Sequence, residues 1–226
     1  MRDLDVRRVL RGRLNACYAT DPTTIVVEEL GLRGGTVRAD LAVINGHFKG
    51  YEIKSDSDTL RRLTRQSDIY SKVFDTMTLV VGERHLTQAV AIIPDWWGID
   101  VAFSEGSEDV VQLAEVRSEK LNRGVEAFDL VQLLWREEVL EVLHRVAPSS
   151  CLARKPRRIL WQTLTACITL GELQDLVRGY LKRRAHWRVA GGQLPNDATY
   201  QPCATLLDSR FPHVRSRNRR YTHRPS

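Results

Sequence analysis

VRADLAVINGHFKGYEIK, residues 37–54, decides how this chain is read. It divides into two short β-strands, Val37 to Ile44 and Phe48 to Lys54. Between them Asn45-Gly46 is a strong hairpin signal, because both residues tolerate the positive φ that tight turns need. The strands are unusual in their charge: Asp40 sits within an apolar run, and Glu52 and Lys54 flank Ile53. Buried charges are costly unless paired or bound to a metal, so three of them on one hairpin point to a site.

Loop length fixes the geometry. Side chains alternate faces along a strand. With a two-residue loop Ile44 would pair with His47 and Asp40 would face Tyr51. With a three-residue loop, Asn45-Gly46-His47, Ile44 pairs with Phe48 and Asp40 lies opposite Glu52. Opposed residues have Cβ atoms roughly 4.5–5.5 Å apart, close enough for two carboxylates to share a divalent cation. Lys54 joins the face of Glu52. The functional reading therefore predicts an odd-length loop or a bulge, and a cation to offset the facing carboxylates. In the structural alternative Lys54 simply forms ion pairs with Asp40 and Glu52.

Asp40 followed by Glu52-Ile-Lys54 resembles the core of the PD-(D/E)XK nuclease superfamily, with Ala39 in place of the leading proline. QSDIY (Gln66–Tyr70), on a predicted helix, resembles the Gln-x-x-x-Tyr motif of several members. Glu28-Glu29 resembles the acidic residue that members supply upstream. The wider run GYEIKSDSDTLRRLTRQSDIY (50–70), with TLVVGERH (78–85) and IPDWWGI (93–99), is similar to an uncharacterised bacterial family designated by an "sce" locus tag, over about residues 1–190.

The resemblance implies an α/β fold: a restriction-endonuclease-like core, a mixed central sheet flanked by helices, with a C-terminal helical subdomain and a basic tail. It implies a metal-dependent nuclease acting on nucleic acid, DNA being the expected substrate. Asp40, Glu52, the Ile53 backbone carbonyl and Glu29 (or Glu28) would hold Mg²⁺ or Mn²⁺, which favour hard oxygen donors. Lys54 would orient the attacking water or offset transition-state charge, and Gln66 and Tyr70 would bind near the metal or the phosphate. The alternative is a non-catalytic nucleic-acid-binding or partner-binding protein that keeps the fold. Many members act as dimers, so a homodimer is compatible, though no stretch fixes an interface.

Bulk properties set the frame. At 226 residues the chain can bury a substantial core. No apolar run approaches the roughly 18–20 residues that cross a bilayer, so no membrane partner is expected. MRDLDVRRVLRGRL is charged throughout and unlike a secretory signal. Cys17, Cys151, Cys167 and Cys203 are scattered without zinc spacing, which fits reduced thiols and a cytoplasmic location. Residues 146–226 carry 15 Lys and Arg against 4 Asp and Glu, whereas the rest carries 19 against 24. A basic C-terminal third suits a phosphate backbone or is a solvated tail.

Periodicity places the remaining elements. Residues 3–17 read as an amphipathic helix with Val6, Val9, Leu10, Leu14 and Cys17 on one face. Thr24 to Leu32 reads as a strand. There Glu28 and Glu29 point to opposite faces, so only one can approach Asp40, and the resemblance favours Glu29. A helix starts at Ser57 or Asp58 and runs to Phe74, with Leu63, Gln66, Tyr70 and Val73 on one stripe. Arg61, Arg62, Arg65 and Lys72 decorate it. Met77 to Val81 reads as a buried strand, Glu83 to Val90 as a short helix, and Ala91 to Ile93 and Ile99 to Phe103 as further strands. His85 and the Trp96-Trp97 loop read mainly as structural. The expected division is a core at 1–105, a linker with one strand at 106–123, a helical subdomain at 124–189 and a basic, disordered tail at 190–226. Within the subdomain one long helix, 124–146, precedes helices at 156–167 and 170–184.

Overall fold

The computed structural model describes residues 1–105, 110–149 and 151–189. The expected tail, with Cys203, lies outside the described residues. Six strands form one mixed sheet in sequential order: β1 (Ile25–Leu32), β2 (Val37–Ile44), β3 (Phe48–Lys54), β4 (Thr76–Gly82), β5 (Gly98–Glu105) and β6 (Val110–Arg117). β1, β2 and β3 form an antiparallel meander. β3, β4 and β5 run parallel, and β6 returns antiparallel to β5. The change from antiparallel to parallel falls at β3, because the chain leaves its end through a helix, α2 (Leu63–Tyr70), and so comes back in the same direction.

The two faces are covered unequally. Helix α1 (Asp3–Cys17) lies on one, burying Val6, Leu10 and Leu14 against Leu41, Val43, Tyr51, Ile53 and Val80. The other face is covered by α2, the short α3 (Leu86–Val90), and a set of C-terminal helices: α4 (Ala127–Leu130), α5 (Arg136–Val146), α6 (Arg157–Cys167) and α7 (Leu170–Val189). Central strands are apolar on both faces: β4 reads Met77-Thr-Leu-Val-Val81, every residue of it buried.

Several expected boundaries change. The helical segment is not a separate subdomain, since Leu130, Val139, Leu160, Leu173 and Val177 share one buried cluster with Phe48, Met77 and Leu79. Asp75 makes the join explicit, accepting from Phe48 N–H at 2.7 Å, Gln174 Nε2 at 2.8 Å and Arg178 at 3.2 Å. The stretch expected as a linker with one strand carries that strand as β6, paired with β5, and Asn122 Nδ2 donates to Ser71 O and Phe74 O. The expected 124–146 helix is broken: Leu134 is extended (φ −81°, ψ 140°), and Trp135 is 37% exposed with the Arg184 guanidinium 4.0 Å over its ring. Ala91–Ile93 is a turn, in which both Ile92 and Ile93 donate to Ala89 O. Helix α2 starts at Leu63 instead of Ser57 or Asp58, because the Asp58 carboxylate closes a turn by accepting from Ser55 N–H and Oγ.

Candidate functional site

The loop of the hairpin has three residues. Asn45 N–H donates to His47 O at 3.1 Å, the Asn45 side chain accepts from His47 N–H, and Ile44 pairs with Phe48. Pairing continues regularly to Leu41 and Tyr51. One step further the register sets Asp40 opposite Glu52, and there the ladder opens: Ile53 N–H donates to Asp40 Oδ2 at 2.7 Å. On its other side Asp40 falls opposite Glu29, between the Glu28–Leu41 and Leu30–Ala39 pairs. A row of three carboxylates thus crosses three strands.

Glu29 has φ of 51°, rare for a residue with a side chain. This breaks strand alternation. Val27 and Leu30 face the same core although three residues apart, as do Ala39 and Ala42. In consequence Glu28 and Glu29 both turn to α1, where Glu28 pairs with Arg11 and Glu29 with Arg7 at 2.7 Å. The expectation that adjacent glutamates must part to opposite faces fails here, because it assumed extended backbone throughout.

Asp40 and Glu52 line one cleft of about 490 Å³ together with Glu29, Ile53, Lys54 and Gln66. Each carboxylate is anchored from a different face of the sheet. Asp40 is held from the α1 side, with Arg7 donating to Oδ1 at 2.6 Å and to the Asp40 carbonyl at 3.2 Å. Glu52 is held from the α2 side, where Lys54 and Gln66 Nε2 donate to Oε1 and Tyr70 Oη donates to Oε2 at 2.7 Å. Lys54 Nζ also lies 3.3 Å from Ile53 O. Tyr70 is fully buried and lies 2.6 Å from Arg38 O, so it positions Glu52 from behind.

Electrostatics follow from this packing. Burial and then the neighbouring Glu52 push the Asp40 carboxyl up to about 7, against the opposing pull of Ile53 N–H, Arg7 and Lys54. Burial disfavours the charged Arg7 guanidinium, but Asp40, Asp3 and Glu29 outweigh it and hold its pKa above the ordinary value. Burial and the Glu52 charge raise the Tyr70 hydroxyl, so it stays a protonated donor.

The oxygens present suit a hard cation in kind: two carboxylates, the Ile53 carbonyl, and Gln66 Oε1, which is buried with no hydrogen-bond partner. In arrangement, all four carboxylate oxygens already accept from protein donors. No group of three His, Cys, Asp or Glu is poised to hold a metal among the described residues.

Sequence reasoning did not find Arg7 or Arg38 at the cleft, and took Arg62 and Arg65, which also line it, as helix decoration. Arg7 and Arg11 stand one turn apart ahead of Glu28-Glu29, a pairing signal visible only once α1 is known to cross β1. His85 is buried, with Nε2 3.0 Å from Asp58 O. Trp97 is fully buried, its ring stacked 6.1 Å from Tyr70, as the structural reading expected.

A family model described as bacteriophage P4 protein cII matches residues 8–190, a span that takes in Asp40, Glu52, Lys54, Gln66 and Tyr70. The chain belongs to the bacteriophage P4 protein cII family. It is 26% identical over 165 residues to Protein cII of Enterobacteria phage P4, covering 71% of this chain and 60% of that protein. The chain therefore spans less than two thirds of that relative's length. Among solved structures it is similar to the SPO1766 protein of unknown function from Silicibacter pomeroyi, with TM-score 0.37 and 15% identity over 85% of this chain and 92% of that one. Among the described residues no helix is long and apolar enough to cross a membrane.

Proposed function

We propose that this chain is a metal-dependent nuclease with a restriction-endonuclease-like core of the PD-(D/E)XK type, hydrolysing phosphodiester bonds of nucleic acid, DNA before RNA. One observation carries the reading. The three-residue hairpin loop brings Asp40 and Glu52 into register beside Lys54 in a solvent-open cleft, at the carboxyl end of the strand where the sheet turns from antiparallel to parallel. Open α/β sheets use such ends for ligands.

Mg²⁺ or Mn²⁺ held by Asp40, Glu52 and the Ile53 carbonyl would supply Lewis acidity to the phosphate and a more acidic attacking water. The protein's own residues do the rest. Tyr70 and Gln66 fix the Glu52 carboxylate. Lys54 has three protons, of which Glu52 and Ile53 O engage two, leaving one to orient water or meet charge on the phosphate. Arg38, Arg62 and Arg65 at the cleft rim would hold the flanking backbone. Arg7 must release Asp40 Oδ1 for the carboxylate to take up a new cation.

A second reading is favoured by that last point. With each carboxylate oxygen already bonded within the protein, the cleft is also consistent with a nucleic-acid-binding protein that keeps the fold and performs no chemistry. Cleavage of labelled DNA and RNA, single- and double-stranded, in Mg²⁺ or Mn²⁺ separates the two. The nuclease reading expects metal-dependent products from the wild type and none from Asp40→Asn or Lys54→Ala. A wild type that binds but never cuts, or variants that cut equally well, would eliminate it.

A further inference from the structure

A second cleft adjoins the first. It has a volume of about 390 Å³ and is lined by Asp58, Arg61, Thr64, Arg84, His85 and Gln88, among others. Asp58 is the wall common to both, since it also lines the Asp40–Glu52 cleft. That wall is rigid, its carboxylate being committed to Ser55 N–H and Oγ at 2.8 and 2.6 Å. Its backbone carbonyl meets His85 Nε2 at 3.0 Å, which pins the floor of the second cleft to the rim of the first.

The arginines of this double cleft contrast with those paired elsewhere in the fold. Four arginines behind the site are paired with carboxylates: Arg7 with Asp40 and Glu29, Arg11 with Glu28, Arg13 with Asp100, Arg33 with Asp129. Arg61, Arg62 and Arg65 are exposed and have no carboxylate partner among the described residues. Arg84, also exposed, has no carboxylate partner among the described residues; its Nε lies 3.1 Å from the His85 Nε2 that donates to Asp58 O. Four guanidiniums therefore converge from two elements, the start of α2 and the turn after β4, with their charge unspent. Unspent guanidiniums with amide and hydroxyl neighbours are donors for phosphate oxygens.

We propose that the second cleft is a phosphate-backbone subsite: Arg61 and Arg84, with Gln88 and Thr64, hold a phosphodiester of the same nucleic-acid strand whose neighbouring phosphate lies at Lys54. The strand runs from the Asp40–Glu52 cleft past Asp58 toward α3. This rests on the nucleic-acid reading of the first cleft but not on its catalysis.

The test is oligonucleotide binding by the full chain in EDTA, followed by fluorescence anisotropy across a salt series. The variants are Arg61→Ala/Arg84→Ala, Arg61→Lys/Arg84→Lys and, as a control, Lys72→Ala, whose charge is paired with Glu126. Each lost phosphate contact lowers the salt slope by about 1. Arg61 and Arg84 share one phosphodiester, so the alanine pair should flatten the log–log slope by about one and weaken binding about tenfold or more at low salt. The lysine pair should recover most of the slope, and Lys72→Ala should leave it unchanged. A slope equal to wild type in the alanine pair would overturn the subsite. So would a nucleoside triphosphate binding as tightly as the oligonucleotide, since no strand would then be needed. Cleavage assays keep the two readings apart. If Asp40→Asn abolishes cleavage while the alanine pair binds as wild type, the nuclease stands and the subsite falls. If the alanine pair binds weakly and no protein cleaves, the subsite stands and the catalytic reading falls.

Discussion

The two halves of the β2–β3 hairpin follow different rules. Near the turn, Leu41–Ile44 and Phe48–Tyr51 form an unbroken ladder, and nearly every side chain is buried against one helical layer or the other. At the open end Asp40 and Glu52 stand in register without ladder bonds, and Arg7, Lys54, Gln66 and Tyr70 supply the donors. The apolar half needs nothing beyond burial, and it fixes the register. The polar half would not hold together unaided, since it places carboxylates side by side, and it inherits its geometry from the other half. A one-residue slip would carry every side chain to the wrong face.

Breaking the apolar half should have the largest effect. Phe48 is 2% exposed and packs on Phe74 with ring centroids 4.6 Å apart. Phe48→Ala should cost about 3–5 kcal/mol, read as a lower urea midpoint at unchanged slope. The polar half is cheaper to damage. Tyr70→Phe keeps the ring against Trp97 but removes the hydroxyl that donates to Glu52 Oε2. Leaving a buried carboxylate oxygen short of a donor should cost about 2 kcal/mol in the same assay. A Tyr70→Phe loss as large as that of Phe48→Ala would mean that the polar network, not the apolar ladder, holds the hairpin.

Much of this was legible in sequence for a definite reason. Asn45-Gly46 marked the turn between the two strands, and the charges on Asp40, Glu52 and Lys54 stood out because charge in a half-buried hairpin is costly unless paired or bound to a metal. The same logic failed where backbone departed from regular geometry. The positive φ at Glu29 redirects two glutamates, and nothing in a glutamate announces it. Asp58 looks like a helix cap but spends its carboxylate on Ser55, so α2 begins later. Residues 106–123 read as a linker with one strand, because one face of β6 is solvent-exposed, Val110 and Val116 being more than half accessible. Arg7 was out of reach altogether, since it lies 33 residues from Asp40 and only tertiary packing brings them together.

The charge on Asp40 gives the polar half a pH signature that the apolar half lacks. Its folded pKa, about 7, lies above the unfolded value near 3.8. Between those values the folded state binds the extra proton, so the stability contributed by Asp40 is fully present below about 4 and is lost as pH rises through about 7. The slope from this group alone is at most about 1.4 kcal/mol per pH unit. Asp40→Asn removes the titration, so its urea midpoint should vary less from pH 5 to 8 and should exceed that of the wild type at the upper end. A variant as pH-dependent as the wild type over that window would assign the effect to other groups.

The finest test concerns Arg7, because it separates a cleft that awaits a cation from one already satisfied. Its guanidinium sits against Asp40 Oδ1 and Glu29 Oε1, where it neutralises the carboxylates a divalent ion would otherwise neutralise. In a metal site the two compete, and Arg7→Gln should tighten Mn²⁺ binding about threefold, or about 0.7 kcal/mol, by isothermal titration. In a site completed by Arg7 the substitution leaves Asp40 and Glu29 facing each other unpaired. Stability then drops, with no Mn²⁺ binding in either protein. The two outcomes differ in sign under added Mn²⁺: the first gives a variant that the ion stabilises more than it does the wild type, the second a variant that stays destabilised at any concentration.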